Sequence, residues 1–169
     1  MAPQGHGFAA TFSPKNYRHY FTGNRKLYER LAELRPNFPK SDFACITVNF
    51  GRRTRTYIRT DAKNTAHGMC AVTALGSFNP KLGGHLVLWD LKVLMEYPPG
   101  CTILLPSALL RHSNTGAQAH ETRYSVTQYT AGGIWRWLDG GGCSIELSEL
   151  NGSQKWLTPV SCFCSAFPI

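Results

Sequence analysis

Between residues 43 and 131 the chain carries seven short β-prone runs, with too little sequence between them for helices. They read "DFACITVNFG", "RTYIRT", "MCAVTALGSF", "HLVLWDL", "KVLMEY", "CTILLPSALL" and "TRYSVTQYTA". Gly51, Asn79-Pro80, Gly83-Gly84, Pro98-Pro99-Gly100 and Asn114-Thr115-Gly116 punctuate them as turns. Parallel strands need crossover connections of a dozen or more residues, usually helical. The gaps are shorter, which excludes an α/β parallel sheet. Seven or eight short strands joined by turns predict a sandwich or a barrel.

The flanks read differently. Residues 1–14 are rich in Gly, Pro and Ala and predict an irregular lead-in. Over 15–35 the residues Tyr17, Tyr20, Phe21, Leu27, Tyr28, Leu31 and Leu34 recur at near-helical spacing. Gly23-Asn24 is expected to split this stretch into two helices, and Pro36 and Pro39 to end it. Trp135 and Trp137 alternate with Arg136, which predicts two core-facing residues on a last strand. The segment 138–169 opens on "DGGGC" and lacks periodicity, so a Gly hinge and a tail are expected there. The division is 1–42, 43–137 and 138–169.

With 169 residues the chain is sized for one domain with a sizeable core. Its 18 Lys+Arg against 10 Asp+Glu leave a net charge of +8, which favours an anionic partner, most simply nucleic acid. The segment "GRRTR" at 51–55 reads as a basic hairpin turn, placed to meet phosphate. The six cysteines form no CxxC pair. Cys45, Cys70 and Cys101 lie in apolar runs, where buried free thiols and a reducing compartment are expected. No secretory signal opens the sequence, and no run approaches the length of a membrane span.

Metal chemistry enters at "TYIRTDAKN", residues 56–64. Non-haem iron(II) sites use two histidines and one carboxylate on one face of the ion. Alternate residues of a strand point the same way, so positions i and i+2 can share an ion. Asp61 suits the carboxylate. His112, delivered by "PPGCTILLPSALLR", suits a distant histidine. Arg123, on the following strand, could grip a carboxylate with two parallel hydrogen bonds. Ser125 shares its face. The plainer alternatives are a turn aspartate, a loop histidine, and Arg123 paired with Glu121 or Asp90.

Residues 43–137 resemble the 2-oxoglutarate/Fe(II) dioxygenase domain of the TET/JBP class, most closely its basidiomycete fungal members. The stretches that carry the resemblance are "FACITVNFGRRT", "DAKN", "GMCAVTALGSFNPKLGGHLVLWDLK", "PPGCTILLPSALLRHSN" and "ETRYSVTQYTAGGIWRW". It implies a double-stranded β-helix barrel of jelly-roll or cupin type and oxidation of methylated bases in nucleic acid. DNA is the leading partner, no membrane is involved, and an intracellular, nuclear location follows. Iron(II) and 2-oxoglutarate are the implied cofactors. Asp61 and His112 match metal ligands, and Arg123 and Ser125 match co-substrate contacts. Asn64 matches an asparagine between co-substrate and base, and Tyr129 an aromatic that stacks on the base.

One position departs from that pattern. Arg59 stands where the family has the first metal histidine. A guanidinium has no lone pair to donate. Beside a divalent ion it would be repelled by roughly 8 kcal/mol at 4 Å and an effective dielectric of 20. Arg59 is therefore expected to turn onto Asp61, its same-face neighbour. His67, six residues after Asp61, replaces the lost ligand only if its loop folds back over the mouth. His85, His19 and His120 are not expected to serve. Two functions remain: a weakened or inactive dioxygenase, and a non-catalytic nucleic-acid-binding module on the same fold.

Overall fold

A computed structural model describes residues 11–142. The expected lead-in falls mostly before these residues. The expected tail, with Cys143, Cys162 and Cys164, falls mostly after them, and its first two residues, Leu138 and Asp139, are helical. Helix α1 spans Pro14–Arg30. Eight strands follow: β1 Cys45–Asn49, β2 Thr56–Arg59, β3 Cys70–Ser77, β4 Leu86–Leu88, β5 Val93–Met95, β6 Thr102–Leu105, β7 His112–Asn114 and β8 Thr122–Tyr129. Helix α2 spans Gly132–Asp139. Among the described residues no helix is long and apolar enough to cross a membrane.

The strands form two four-stranded sheets whose paired strands are all antiparallel. The first has the order β1-β8-β3-β6 and the second β2-β7-β4-β5. The seven β-prone runs match seven of these strands. The eighth, β7, is only "HSN", too short to show a period.

Strand parity separates two cores. In the first sheet Cys70, Val72 and Ala74 stand in register with Leu105, Ile103 and the β8 residues Thr127 and Ser125. Cys70, Ala74, Phe78, Leu86, Leu88, Tyr97 and Leu105 make one buried cluster. Ala71 has the opposite parity and joins Tyr20, Leu27, Phe43, Ile134, Trp135 and Leu138 beneath the helices. The layering is helices, first sheet, second sheet, each apolar face covered by the next.

Four local expectations are corrected. α1 is one continuous helix, because Gly23 is a contact and not a break. A Cβ there would lie 2.1 Å from the Trp135 ring, so only glycine lets α2 approach. Trp135 stacks on Tyr20 at 5.8 Å and 15°, and its Nε1 donates to Thr65 Oγ1 at 2.7 Å. α1 also ends at Arg30, before either proline, where the Leu31 N–H closes on the Leu27 carbonyl. Trp135 and Trp137 belong to α2 and not to a strand. Their alternation looked like period two, but docking against α1 selects the helix. Finally, 51–55 is no hairpin, since β1 and β2 belong to different sheets. The segment crosses between them, held by Arg123 N–H to Arg52 O at 2.8 Å and Thr54 N–H to Arg123 O at 3.0 Å.

The cysteines also divide. Cys70 is buried, Cys45 half-buried and Cys101 exposed. Burial pushes the Cys70 thiol up to about 11. Cys101 follows the Pro98–Gly100 turn, so its place in an apolar run did not bury it.

Candidate functional site

β2 and β7 bring the expected residues to one end of the space between the sheets. Their register places Arg59 opposite His112 and shifts between Thr56 and Arg59, a bulge that leaves Tyr57 and Ile58 exposed. Asp61 follows the strand, with its N–H donating to the Ser107 carbonyl at 2.8 Å. The Asn64 N–H closes a turn onto the Asp61 carbonyl at 2.8 Å.

Arg59 Nε donates to Asp61 Oδ1 at 3.1 Å, and the two side chains are 49 % and 15 % exposed. The expected pair is therefore present. His112 approaches from the other side, its Nε2 3.6 Å from Asp61 Oδ2. His112 Nδ1 lies 2.9 Å from the Leu110 carbonyl, which can only accept, so Nδ1 carries a hydrogen. That bond orients the ring with Nε2 toward Asp61.

Arg123 lies deeper, on β8, with Ser125 two residues along the same face. The Arg123 residue is 2 % exposed. Its Nη1 donates to the Thr54 carbonyl at 3.3 Å, and its guanidinium carbon sits 5.9 Å from the Phe78 ring centre. Its Nε is buried and has no partner. Neither Asp90 nor Glu121 takes it. Asp90 pairs with Arg111 at 2.7 Å, and Glu121 accepts from the N–H groups of Asn79 and Gln118. Burial pulls the Arg123 pKa below its ordinary value, partly offset by Tyr97. Burial likewise drives the Tyr97 phenol up to about 12.

Arg59, Asp61, His112, Arg123 and Ser125 all line one cavity of about 40 Å³. At roughly 10–15 Å³ per enclosed water it has room for about three waters. The other lining residues include Asn49, Thr56 and Asn114, which the sequence did not mark. Asn49 Nδ2 donates to Ser125 Oγ at 2.9 Å, and Thr56 Oγ1 donates to Asn114 Oδ1 at 2.7 Å. Thr127 also lines it, and the period of β8 was a usable signal, since 123, 125 and 127 share a face.

Two expected residues are not among those lining this cavity. Asn64 Nδ2 donates to Ser107 Oγ at 3.0 Å, so its amide faces the β6–β7 connection. Tyr129, four residues beyond Ser125, packs against the inter-sheet core and receives a 3.5 Å hydrogen bond from Thr47 Oγ1. His67 turns away as well. Its ring is 4.9 Å from that of His19 on α1. A wider depression of about 410 Å³ near Phe78 and Glu121 contains none of the expected site residues.

The donor set does not fit an iron centre. Among the described residues no three His, Cys, Asp or Glu side chains gather as metal ligands. Asp61 and His112 meet, but a guanidinium occupies one carboxylate oxygen. The buried, unpartnered Arg123 Nε does fit a carboxylate, although a molecule the size of 2-oxoglutarate needs more room than the closed mouth leaves.

No family model matches the chain, and no curated protein matches it. A solved structure of NgTET1 in complex with 5mC DNA is similar at 11 % identity and a TM-score of 0.46. The match covers 74 % of this chain and 54 % of that one, so the chain spans about half the length of that structure.

Proposed function

We propose that this chain is a TET/JBP-like domain on the double-stranded β-helix plan that binds nucleic acid, DNA first, without iron chemistry. The observation that carries this is the Arg59–Asp61 pair at 3.1 Å, facing a buried Arg123 that has no carboxylate partner. The mouth has supplied its own cation, while the floor keeps one with no acidic partner. Successive strands distribute between the sheets in the orders β1-β8-β3-β6 and β2-β7-β4-β5, which supports the jelly-roll plan. The net charge of +8 supports an anionic polymer as partner. A nuclear placement goes with DNA as that partner.

A carboxylate ligand such as 2-oxoglutarate would be held at the floor by Arg123, with the Ser125 hydroxyl as a second donor. Arg59 is half exposed and can swing into solvent, which leaves Asp61, 15 % exposed, facing His112. A weakened dioxygenase is the second reading. His112 favours it, because the Nδ1 contact with the Leu110 carbonyl turns Nε2 toward the Asp61 carboxylate, 3.6 Å away, so two side chains of metal-ligand type meet.

Anaerobic addition of iron(II) and 2-oxoglutarate separates the two. The native chain is expected to show no visible charge-transfer band, and Arg59→His to gain one. A band of equal strength in both proteins overturns the loss of the metal site. In parallel, the native chain without iron is expected to retard labelled DNA in a gel, and failure to do so removes the binding function.

A further inference from the structure

The crossing between the sheets and the strand it leads into carry a second constellation beside the pocket. From Phe50 to Ile58 the sequence holds Arg52, Arg53 and Arg55 and no acidic residue. Phe50 is 80 % exposed and Tyr57 88 %. Arg52, Arg53 and Arg55 are all exposed, and the salt bridges among the described residues involve none of the three.

These side chains are displayed from an anchored backbone. The Arg52 carbonyl accepts from Arg123 N–H, Thr54 N–H donates to the Arg123 carbonyl, and Thr54 Oγ1 donates to the Gly51 carbonyl at 2.8 Å. β2 follows at an outer position of its sheet, paired only with β7. Its bulge turns Tyr57 out of the ladder. Two rings this exposed contribute little to the cores, and unpaired guanidinia interleaved with them match an alternating base-and-phosphate ligand.

We infer that residues 50–59 form a platform for single-stranded nucleic acid, with Phe50 and Tyr57 stacking on unpaired bases and Arg52, Arg53 and Arg55 meeting phosphates. This rests on the nucleic-acid reading above and names where and in what form the polymer binds. A duplex buries its base faces and would engage only the arginines. A single strand offers both π-faces and charge, and each stacked base contributes about 1–3 kcal/mol. The platform and the pocket share a backbone, because the Arg52 and Thr54 carbonyls that carry the crossing also bond Arg123.

The test is fluorescence anisotropy of the full chain with a labelled single-stranded DNA oligomer and with its blunt duplex, across a salt series. The single strand is expected to bind more tightly. Tyr57→Ala and Phe50→Ala should each weaken single-strand binding about 5- to 150-fold and leave duplex binding unchanged. Arg52→Gln and Arg55→Gln should each lower the log–log salt slope by about 0.7. Melting curves check that these surface variants stay folded. Native-like single-strand affinity in both aromatic variants overturns the platform while the nucleic-acid function stands. So does a concentration-dependent dimer that Tyr57→Ala dissolves, which would assign the β2 edge to a second copy. Absence of binding to either oligomer removes both.

Discussion

The floor and the mouth of the cavity each present an arginine, and the two are used in opposite ways. Arg123 is 2 % exposed, sits on the longest pairing in the first sheet, and has no acidic partner. Arg59 is half exposed, ends a four-residue strand of the second sheet, and lies on Asp61. A buried unpaired cation is costly and persists only where the surrounding structure holds it. A pair whose cation is half exposed is easier to open, because the guanidinium can be rehydrated. The rigid sheet therefore holds the group that would bind a ligand, and the short strand holds the group that occupies the entrance.

The contrast can be broken most forcefully at Gly76, the partner of Arg123 across the β3–β8 ladder. Its φ is +115°, and a Cβ would stand 2.3 Å from the Thr122 carbonyl oxygen. Gly76→Ala is expected to cost about 3 kcal/mol or more in urea unfolding, and a smaller loss would mean the floor is not rigid. Arg123→Met should act in the other direction. Relieved of a desolvated charge, the protein is expected to gain about 1–3 kcal/mol and to lose any thermal stabilisation by 2-oxoglutarate. Destabilisation would show that the guanidinium is already satisfied.

Tyr97 sharpens the same point through pH. Its phenol is held up to about 12 in the fold, against 10.0 ordinarily. Above pH 10 the unfolded chain gives up this proton while the folded one keeps it. Stability should therefore be fully present below pH 10 and decline as pH rises toward 12. Tyr97→Phe should flatten that decline in denaturant titrations, and an unchanged slope would mean the phenol is not desolvated. The smallest effect belongs to the mouth. Arg59→Ala should shift stability by less than about 1 kcal/mol. A larger loss would make the pair structural and remove its ability to open.

Much of the site was legible because its logic is local. Arg59 and Asp61 are two residues apart at a strand end, so a cation–carboxylate pair needed only strand periodicity. Arg123 and Ser125 share a face for the same reason. Asn64 and Tyr129 were expected at the cavity, but the turn after Asp61 aims one at Ser107 and the other packs against the inter-sheet core. Asn49, Thr56 and Asn114 carry no distinguishing pattern. They matter because β1, β2 and β7 converge, and Thr56 bonds Asn114 across 58 positions.

By itself the sequence determined the antiparallel β class, the helix ahead of it and that position 59 carries a guanidinium, which offers a metal no lone pair. Spacing, turn residues and the absence of a lone pair act within a few bonds of the residue concerned. Tertiary structure alone decided that Gly23 continues a helix, that Trp135 rides on α2, that "HSN" is a strand and that 51–55 bridges two sheets. Each of these depends on a partner far along the chain, and its free energy appears only when that partner is in place.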